Sequence, residues 1–257
     1  EPAGPVAVDA SASGSSGAYN GTVTYAQPGP ITGDPTAIAV NGVDGLVVSN
    51  KTSSQSAFSA EAWFKTTSTT GGKIIGFGNV PAGFDFSGNP AISWNYDKHV
   101  YMTDDGHLVF GVWNGQADTI TSPTSLNDGQ WHHVVATQGA TGMALYVDAV
   151  RVGKNGVTTN QPYDGYWRVG GDNIGGWPGQ PTSSFFAGTL ADVAVYPTAL
   201  STTQVRSHWT ASGRVAPPIV TPADAYGSAV YADEPLQYWR LDETSGTTLA
   251  DASNNNA

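Results

Sequence analysis

Hydrolysis of a glycosidic bond is usually carried by two carboxylates that flank it and share acid/base and nucleophile work; on one strand they would have to stand two or four residues apart to share a face. The glutamates of this chain are Glu1, Glu61, Glu234 and Glu243. Glu61 stands alone in Phe-Ser-Ala-Glu-Ala-Trp-Phe-Lys, and only Glu234 and Glu243 have an acidic neighbour, Asp233 and Asp242. The sequence holds no Gly-x-Ser-x-Gly elbow and no phosphate-binding loop. His132-His133 is the best metal-like pair, but adjacent residues on a strand point to opposite faces. Cysteine is absent, which excludes disulfides and thiol chemistry.

Aromatic residues beside amides and acids offer a different chemistry. The strings are Ser93-Trp94-Asn95-Tyr96-Asp97, Val112-Trp113-Asn114-Gly115-Gln116 and Gly176-Trp177-Pro178, with Asp172-Asn173 in the same loop region as the last. A flat ring covers the C–H face of a sugar while amides and carboxylates take its hydroxyls. Trp94, Tyr96, Trp113, Asn114, Asp172 and Trp177 are therefore the candidate ligand contacts. The competing reading is a local minicore that covers the sheet. Trp63, Trp131 and Trp209 read as core from their strand or helix context.

The 257 residues suffice for one large all-β domain or two small domains. Only 12% are charged, and 32 glycines and 16 prolines supply many turns, which suits a many-stranded sandwich. A net charge of −11 disfavours nucleic acid and anionic membrane as partners. No apolar run is long enough to span a membrane as a helix, so membrane insertion is not expected. No signal peptide is visible, and the start at Glu1 reads as trimmed or excised. The small-residue, Lys-poor composition resembles that of exported bacterial proteins. A chain of this size can bury an adequate core without disulfides.

The elements that would position these residues are strands. Ala18–Tyr25, Ile38–Val40, Leu46–Val48, Phe58–Lys65 and Ile74–Phe77 come first, followed by a long loop over 79–98. Phe58, Ala60, Ala62 and Phe64 share one strand face, Glu61 and Trp63 the other. Val100–Met102 and Leu108–Val112 form a hairpin. A meander follows, from Trp131–Thr137 through Met143–Val147 to Val150–Val152. Residues 154–187 read as long and irregular, apart from Trp167–Gly171. Gly188–Tyr196 is a late strand. Ala199–Val205 opens the one expected helix, with a Ser201/Gln204 capping box, Leu200, Val205, His208 and Trp209 facing inward, and Gly213 as its stop.

Asp128-Gly129-Gln130-Trp131-His132-His133-Val134 followed by Leu145-Tyr146-Val147-Asp148 resembles the central signature of the laminin-G-like jelly roll, within the concanavalin A-like lectin and glucanase group. The family's Gly after that Asp is Ala149 here. Glu61-Ala62-Trp63, Trp167–Gly171, Gly188–Tyr196 and the terminal helix fit the same family. The resemblance implies an all-β fold, a two-sheet antiparallel jelly-roll sandwich with one short C-terminal helix. It implies a structural role for Trp-His-His, and a calcium ion between the loop after the first strand and the late strand. The matching residues are Asp9, or its copy Asp251, and Asp192, helped by carbonyls of Ser11–Gly14; such oxygen donors suit Ca²⁺. The Glu-x-Asp-x-x-Glu strand of glucanases on this fold is absent. The competing reading of Asp192 is a turn cap or a surface ion pair.

The two ends repeat. Glu243-x-x-Gly246-x4-Asp251-Ala252-Ser253 matches Glu1-x-x-Gly4-x4-Asp9-Ala10-Ser11, an offset of 242 residues. A period that long implies tandem domains. Tyr238–Glu243 resembles the first strand of bacterial laminin-G-like repeats. Residues 1–213 are thus expected to be a jelly roll lacking its own first strand, 214–224 a Pro-rich linker, and 225–257 the first-strand segment of the next repeat. Residues 236–243 would complete a sandwich within the chain or in a neighbouring repeat or copy. The expected function is a non-catalytic, secreted or cell-surface, bacterial carbohydrate-binding module for a glycan or polysaccharide. The alternative is a structural or adhesive spacer repeat.

Overall fold

The structure is a computed structural model that describes residues 4–218, 221–233, 235, 238–246, 252 and 253. Its strands begin with β1 (Val6–Ala7), β2 (Gly17–Asn20), β3 (Val23–Ile31), β4 (Asp34–Asn41), β5 (Leu46–Val48) and β6 (Thr52–Ser53). Next come β7 (Phe58–Lys65), β8 (Gly72–Gly78), β9 (Tyr96–Met102), β10 (Leu108–Trp113) and β11 (Ala117–Thr121). The last are β12 (His132–Gly139), β13 (Gly142–Val147), β14 (Val150–Asn155), β15 (Asp164–Val169) and β16 (Ala187–Tyr196). Helices α1 (Thr202–Ala211) and α2 (Ala225–Ala232) follow.

Two antiparallel sheets form the jelly-roll sandwich. The front sheet runs β1-β2-β5-β15-β8-β9-β10-β11, with β6 beside β15, and the back sheet runs β14-β13-β12-β7-β16-β4-β3. The alternation along β7 sends Phe58, Ala60, Ala62 and Phe64 inward. There they meet Val134, Leu145, Phe77, Val100 and Phe110 from both sheets. Phe58 is the hinge of this packing, edge-on to Phe110 at 6.1 Å and tilted against Trp167 at 5.7 Å.

The other face of β7 is also buried, under α1. Trp63 stacks on Trp209 of the helix at 5.4 Å, and Arg214 lies 4.3 Å above the Trp63 ring. Trp63 is core as expected, but between sheet and helix rather than between the sheets. Ser201 caps α1 with the full capping box, and Val205 and Trp209 are its buried residues.

The turn at Asn41–Gly45 joins β4 in the back sheet to β5 in the front sheet, so it crosses the sandwich. The Asn41 carboxamide fixes that crossing by accepting from the amides of Val43, Asp44 and Gly45. The strand expected at Trp167–Gly171 is β15, which starts earlier, at Asp164, and lies between β5 and β8 in the front sheet. A second helix, α2, follows the Pro-rich segment where only one helix was expected. Asp224 caps it by accepting from the Gly227 amide, ahead of a run of small residues. Residues 236, 237 and 251, which belong to the expected first-strand segment, lie outside the described residues.

Candidate functional site

The site is built on the outer face of the front sheet, under two long loops, 79–95 and 170–186. Small residues on the strands let the loops lie close. A Cβ on Gly111 of β10 would stand 2.5 Å from the Trp177 ring. A Cβ on Gly78 of β8 would run into the side chains of Ser93 and Asp172. The glycines therefore make the bed on which an indole and a carboxylate rest.

A buried charge network ties the loops down. Oδ1 of Asp172 accepts the Ser93 amide at 2.7 Å, and Nε of Arg168 stands 3.2 Å from the same oxygen. Nζ of Lys73 is 3.7 Å from Oδ2 and donates to the Asn173 carbonyl at 2.5 Å. The Arg168 guanidinium spans the first loop, donating to the carbonyls of Val80 at 2.6 Å and Ala91 at 2.5 Å. Burial, and then the charge of Arg168, push the Lys73 ammonium down to about 8 against the pull of Asp172. All three side chains are fully buried.

Above this network lies an aromatic row. Tyr96 is tilted against His99 at 5.7 Å, His99 is edge-on to Trp177 at 4.5 Å, and Trp177 is 6.4 Å from Trp113. Tyr96 donates to the Gly175 carbonyl at 2.9 Å, and Tyr101 donates to that of Pro178. Burial, with the charges of Lys73 and Lys98 behind it, holds the His99 imidazole well below its usual range. His99 is therefore a neutral spacer in the row.

The candidate ligand contacts thus divide. Trp94 is 78% exposed, Trp113 is 39% exposed at the end of β10, and Asn114 is exposed beside it. These three face solvent. Tyr96 is half-buried. Trp177 is buried and supports Trp113 from beneath, and Asp172 is buried as the anchor of the loops. Neither Trp177 nor Asp172 presents itself to a ligand as expected from the sequence; both position the residues that do. Sequence reasoning missed Lys73, His99 and Arg168. It also missed Phe84 and Phe86, which the 79–95 loop holds in solvent. A positive charge inside a strand of apolar neighbours, as at Lys73 in Gly-Lys-Ile-Ile, was the available signal for that network.

The histidines and the expected calcium residues lie elsewhere. His132 faces Phe64 across the ladder and His133 faces Trp63, so the two point to opposite sides of the back sheet. His132 lies between Asp148 at 2.8 Å and Asp128 at 3.1 Å. His133 Nε2 lies 2.7 Å from Glu61, whose carboxylate also receives the Tyr196 hydroxyl and meets His208 at 3.0 Å. Burial works against the charged form of Glu61, but these partners hold its carboxyl below the usual range.

Asp9 is fully occupied by its own loop, accepting from Ser11, Ser13 and Ser15 at 2.6–2.8 Å. Asp192 sits at φ 46 in the bulge of β16. Its carboxyl is pushed up to about 6 by surrounding protein and by the carboxylates of Asp34 and Glu61. Among the described residues no group of three or more His, Cys, Asp or Glu side chains is arranged to hold a metal. Asp251, the expected alternative to Asp9, lies outside the described residues.

No helix among the described residues is long and apolar enough to cross a membrane. A family described as the concanavalin A-like lectin/glucanases superfamily, of laminin-G type, matches residues 41–206. No curated protein matches the chain. The binding domain of botulinum neurotoxin serotype G superposes with a TM-score of 0.57 at 13% identity, over 86% of this chain and 51% of that one. A Trypanosoma rangeli sialidase, solved in complex with sialic acid, superposes with a TM-score of 0.53 at 16% identity, over 81% of this chain and 31% of that one. The chain spans about half the length of the toxin domain and under a third of the sialidase. At such identities the likeness is one of fold.

Proposed function

The chain belongs to the concanavalin A-like lectin/glucanase superfamily, and on that premise we propose that it is a non-catalytic carbohydrate-binding module of an exported bacterial protein. One observation carries the reading: Trp94 presents its indole to solvent on a loop that a fully buried Lys73–Asp172–Arg168 network ties down, and Trp113 presents its own at the end of β10, against buried Trp177. Rigid aromatic surface loses little entropy on binding, and its rings suit the apolar faces of pyranosides. Asn114 supplies an amide beside Trp113 for sugar hydroxyls. Glu61, the one glutamate within the described sandwich strands, is spent on His133, His208 and Tyr196 behind the back sheet, which argues against glycosidase chemistry there.

A glycan array read with intrinsic tryptophan fluorescence tests the proposal. Binding that disappears in Trp113→Ala supports it, and no binding across plant, bacterial and animal glycans sinks it. Release of reducing sugar from any bound polysaccharide would refute the non-catalytic part. Calcium held by Asp192 with Asp9 or Asp251 is a separate proposal that rests on family resemblance. A melting temperature unchanged between calcium and EDTA would remove it. The reading of the chain as a spacer repeat is favoured by one observation, the recurrence of the Glu1–Ser11 pattern at Glu243–Ser253. Under that reading the tail, not the tryptophans, is the working part.

A further inference from the structure

Strand β16 is flanked on both sides over only part of its length. Ala187–Leu190 pair with β4, whereas Ala194–Tyr196 pair with β7 alone among the described strands. The bulge between Ala191 and Ala194, with Asp192 in the left-handed region, separates the two halves. Val195 lies opposite Ala60, a core residue, so Val195 and Val193 point to the inter-sheet side. Yet Val193 is 36% and Val195 37% exposed. The sandwich is uncovered along this half-edge. The opposite side of the same edge is acidic, with Asp192, Asp34 and Glu61 crowding one another.

The tail carries the complement. In Tyr238-Trp239-Arg240-Leu241-Asp242 a strand would place Trp239 and Leu241 on one face and Arg240 on the other. Trp239 is 49% and Leu241 69% exposed, and among the described strands none includes residues 238–242, Trp239 making only an isolated bridge. The repeat at an offset of 242 residues puts this segment immediately ahead of the position equivalent to Glu1. Within the chain, however, the tail lies at the far edge of the back sheet. Arg151 of β14 donates to the carbonyls of Pro235 and Ser253, and the Ala252 amide donates to that of Tyr238. Strands β13, β12 and β7 separate β14 from β16, a distance of roughly 19 Å at ~4.8 Å per step.

We propose that residues 238–242 of one copy add as a strand to the Asp192–Tyr196 edge of a second copy, head to tail. Trp239 and Leu241 cover Val193 and Val195, and Arg240 enters the acidic side beside Asp192 and Asp34. Arg240 is available for this, since its present partners, Asp224 and Asp242, are exposed and such pairs contribute little. Main-chain hydrogen bonds supply affinity and the alternating side chains supply register, as in other strand additions. A head-to-tail contact of this kind grows into rings or filaments. The proposal rests on the reading of the tail as a first strand and is independent of glycan binding.

Light scattering on the full chain at increasing concentration tests it. The mass is expected to rise with concentration for the wild type. It should stay monomeric for Trp239→Ser/Leu241→Ser, which lacks the donor, and for Val195→Arg, which blocks the slot. Mixing the two variants should restore one contact and stop at a heterodimer, since one retains the slot and the other the donor. That complementation also shows that both variants are folded. A wild type that stays monomeric at every concentration, or variants that assemble like it, overturns the proposal. In the monomeric case the melting temperature of Trp239→Ser separates the two failures. A lowered value leaves the tail as a strand docked in its own chain, and an unchanged one ends the first-strand reading as well.

Discussion

Replacing Asp172 with Asn tests whether the loop anchor works as the geometry requires. Asp172 is the carboxylate nearest to two fully buried cations, Lys73 and Arg168, and also accepts the Ser93 amide. Asn keeps the size and the acceptor for Ser93 but removes the charge. Removing one partner of a buried ion pair costs about 3–5 kcal/mol because the other charge stays behind. Lys73 can escape by shedding its proton, since its pKa is already down to about 8, whereas Arg168 cannot. The lower end of that range therefore applies, about 3 kcal/mol, which lowers the melting temperature by roughly 6–12 °C in a chain of this size. The pH dependence follows the same logic. A lysine whose folded pKa lies below its unfolded value binds fewer protons when folded, so stability rises as pH rises between the two values. In the variant that gain begins at lower pH than in the wild type. Thermal unfolding followed by circular dichroism at pH 7 and pH 9 measures both effects. A variant that melts within about 2 °C of the wild type, with the same pH response, would refute the network as the anchor.

Three further outcomes follow from other parts of the molecule. Gly111→Ala puts a methyl into the Trp177 ring; overpacking of this kind costs about 1–3 kcal/mol, read by urea unfolding, and any glycan affinity falls with it. Ser201→Ala removes the N-cap of α1 and the reciprocal contact with Gln204, with an expected loss of about 1 kcal/mol measured the same way. Burial disfavours a charged His132, but Asp148 and Asp128 outweigh it and raise its pKa. Its contribution is therefore complete below the unfolded value of about 6.5 and disappears as pH rises through the folded one. His132→Gln should lose stability at pH 5.5 and much less at pH 8.5, and equal losses at both would exclude the charge mechanism.

The back sheet was the more legible half of the fold. Its strands alternate cleanly, as in Phe58–Phe64, and the capping box at Ser201 marks α1 to the residue. In the front sheet the strand at Trp167 was legible but its start at Asp164 was not, because Asp164, Gly165 and Tyr166 are set by partners far away in sequence, such as Ser53 and Gly78. Helix α2 was hidden by context: the resemblance of Tyr238–Glu243 to a strand drew the reading past a short cap-and-alanine pattern at Asp224. At the candidate site, residue type identified the right region but not depth. Trp113 and Trp177 sit in similar Gly-rich strings, yet one reaches solvent and the other lies on Gly111. Asp172 reads as a hydroxyl acceptor in sequence and becomes an ion-pair anchor because Lys73 and Arg168 arrive from two other strands. Local pattern cannot encode which face of a loop folds down; only the cross-strand partners decide it.

The direct test of the carbohydrate-binding claim is a titration of the ¹⁵N-labelled chain with the glycan that an array selects. The indole N–H signals of its eight tryptophans serve as separate reporters. The Trp94 and Trp113 signals should shift most, Trp177 less, and Trp63 and Trp209 between the back sheet and α1 not at all. Shifts confined to Trp63, Trp209 or Trp239, with Trp94 and Trp113 unmoved at saturation, would contradict it.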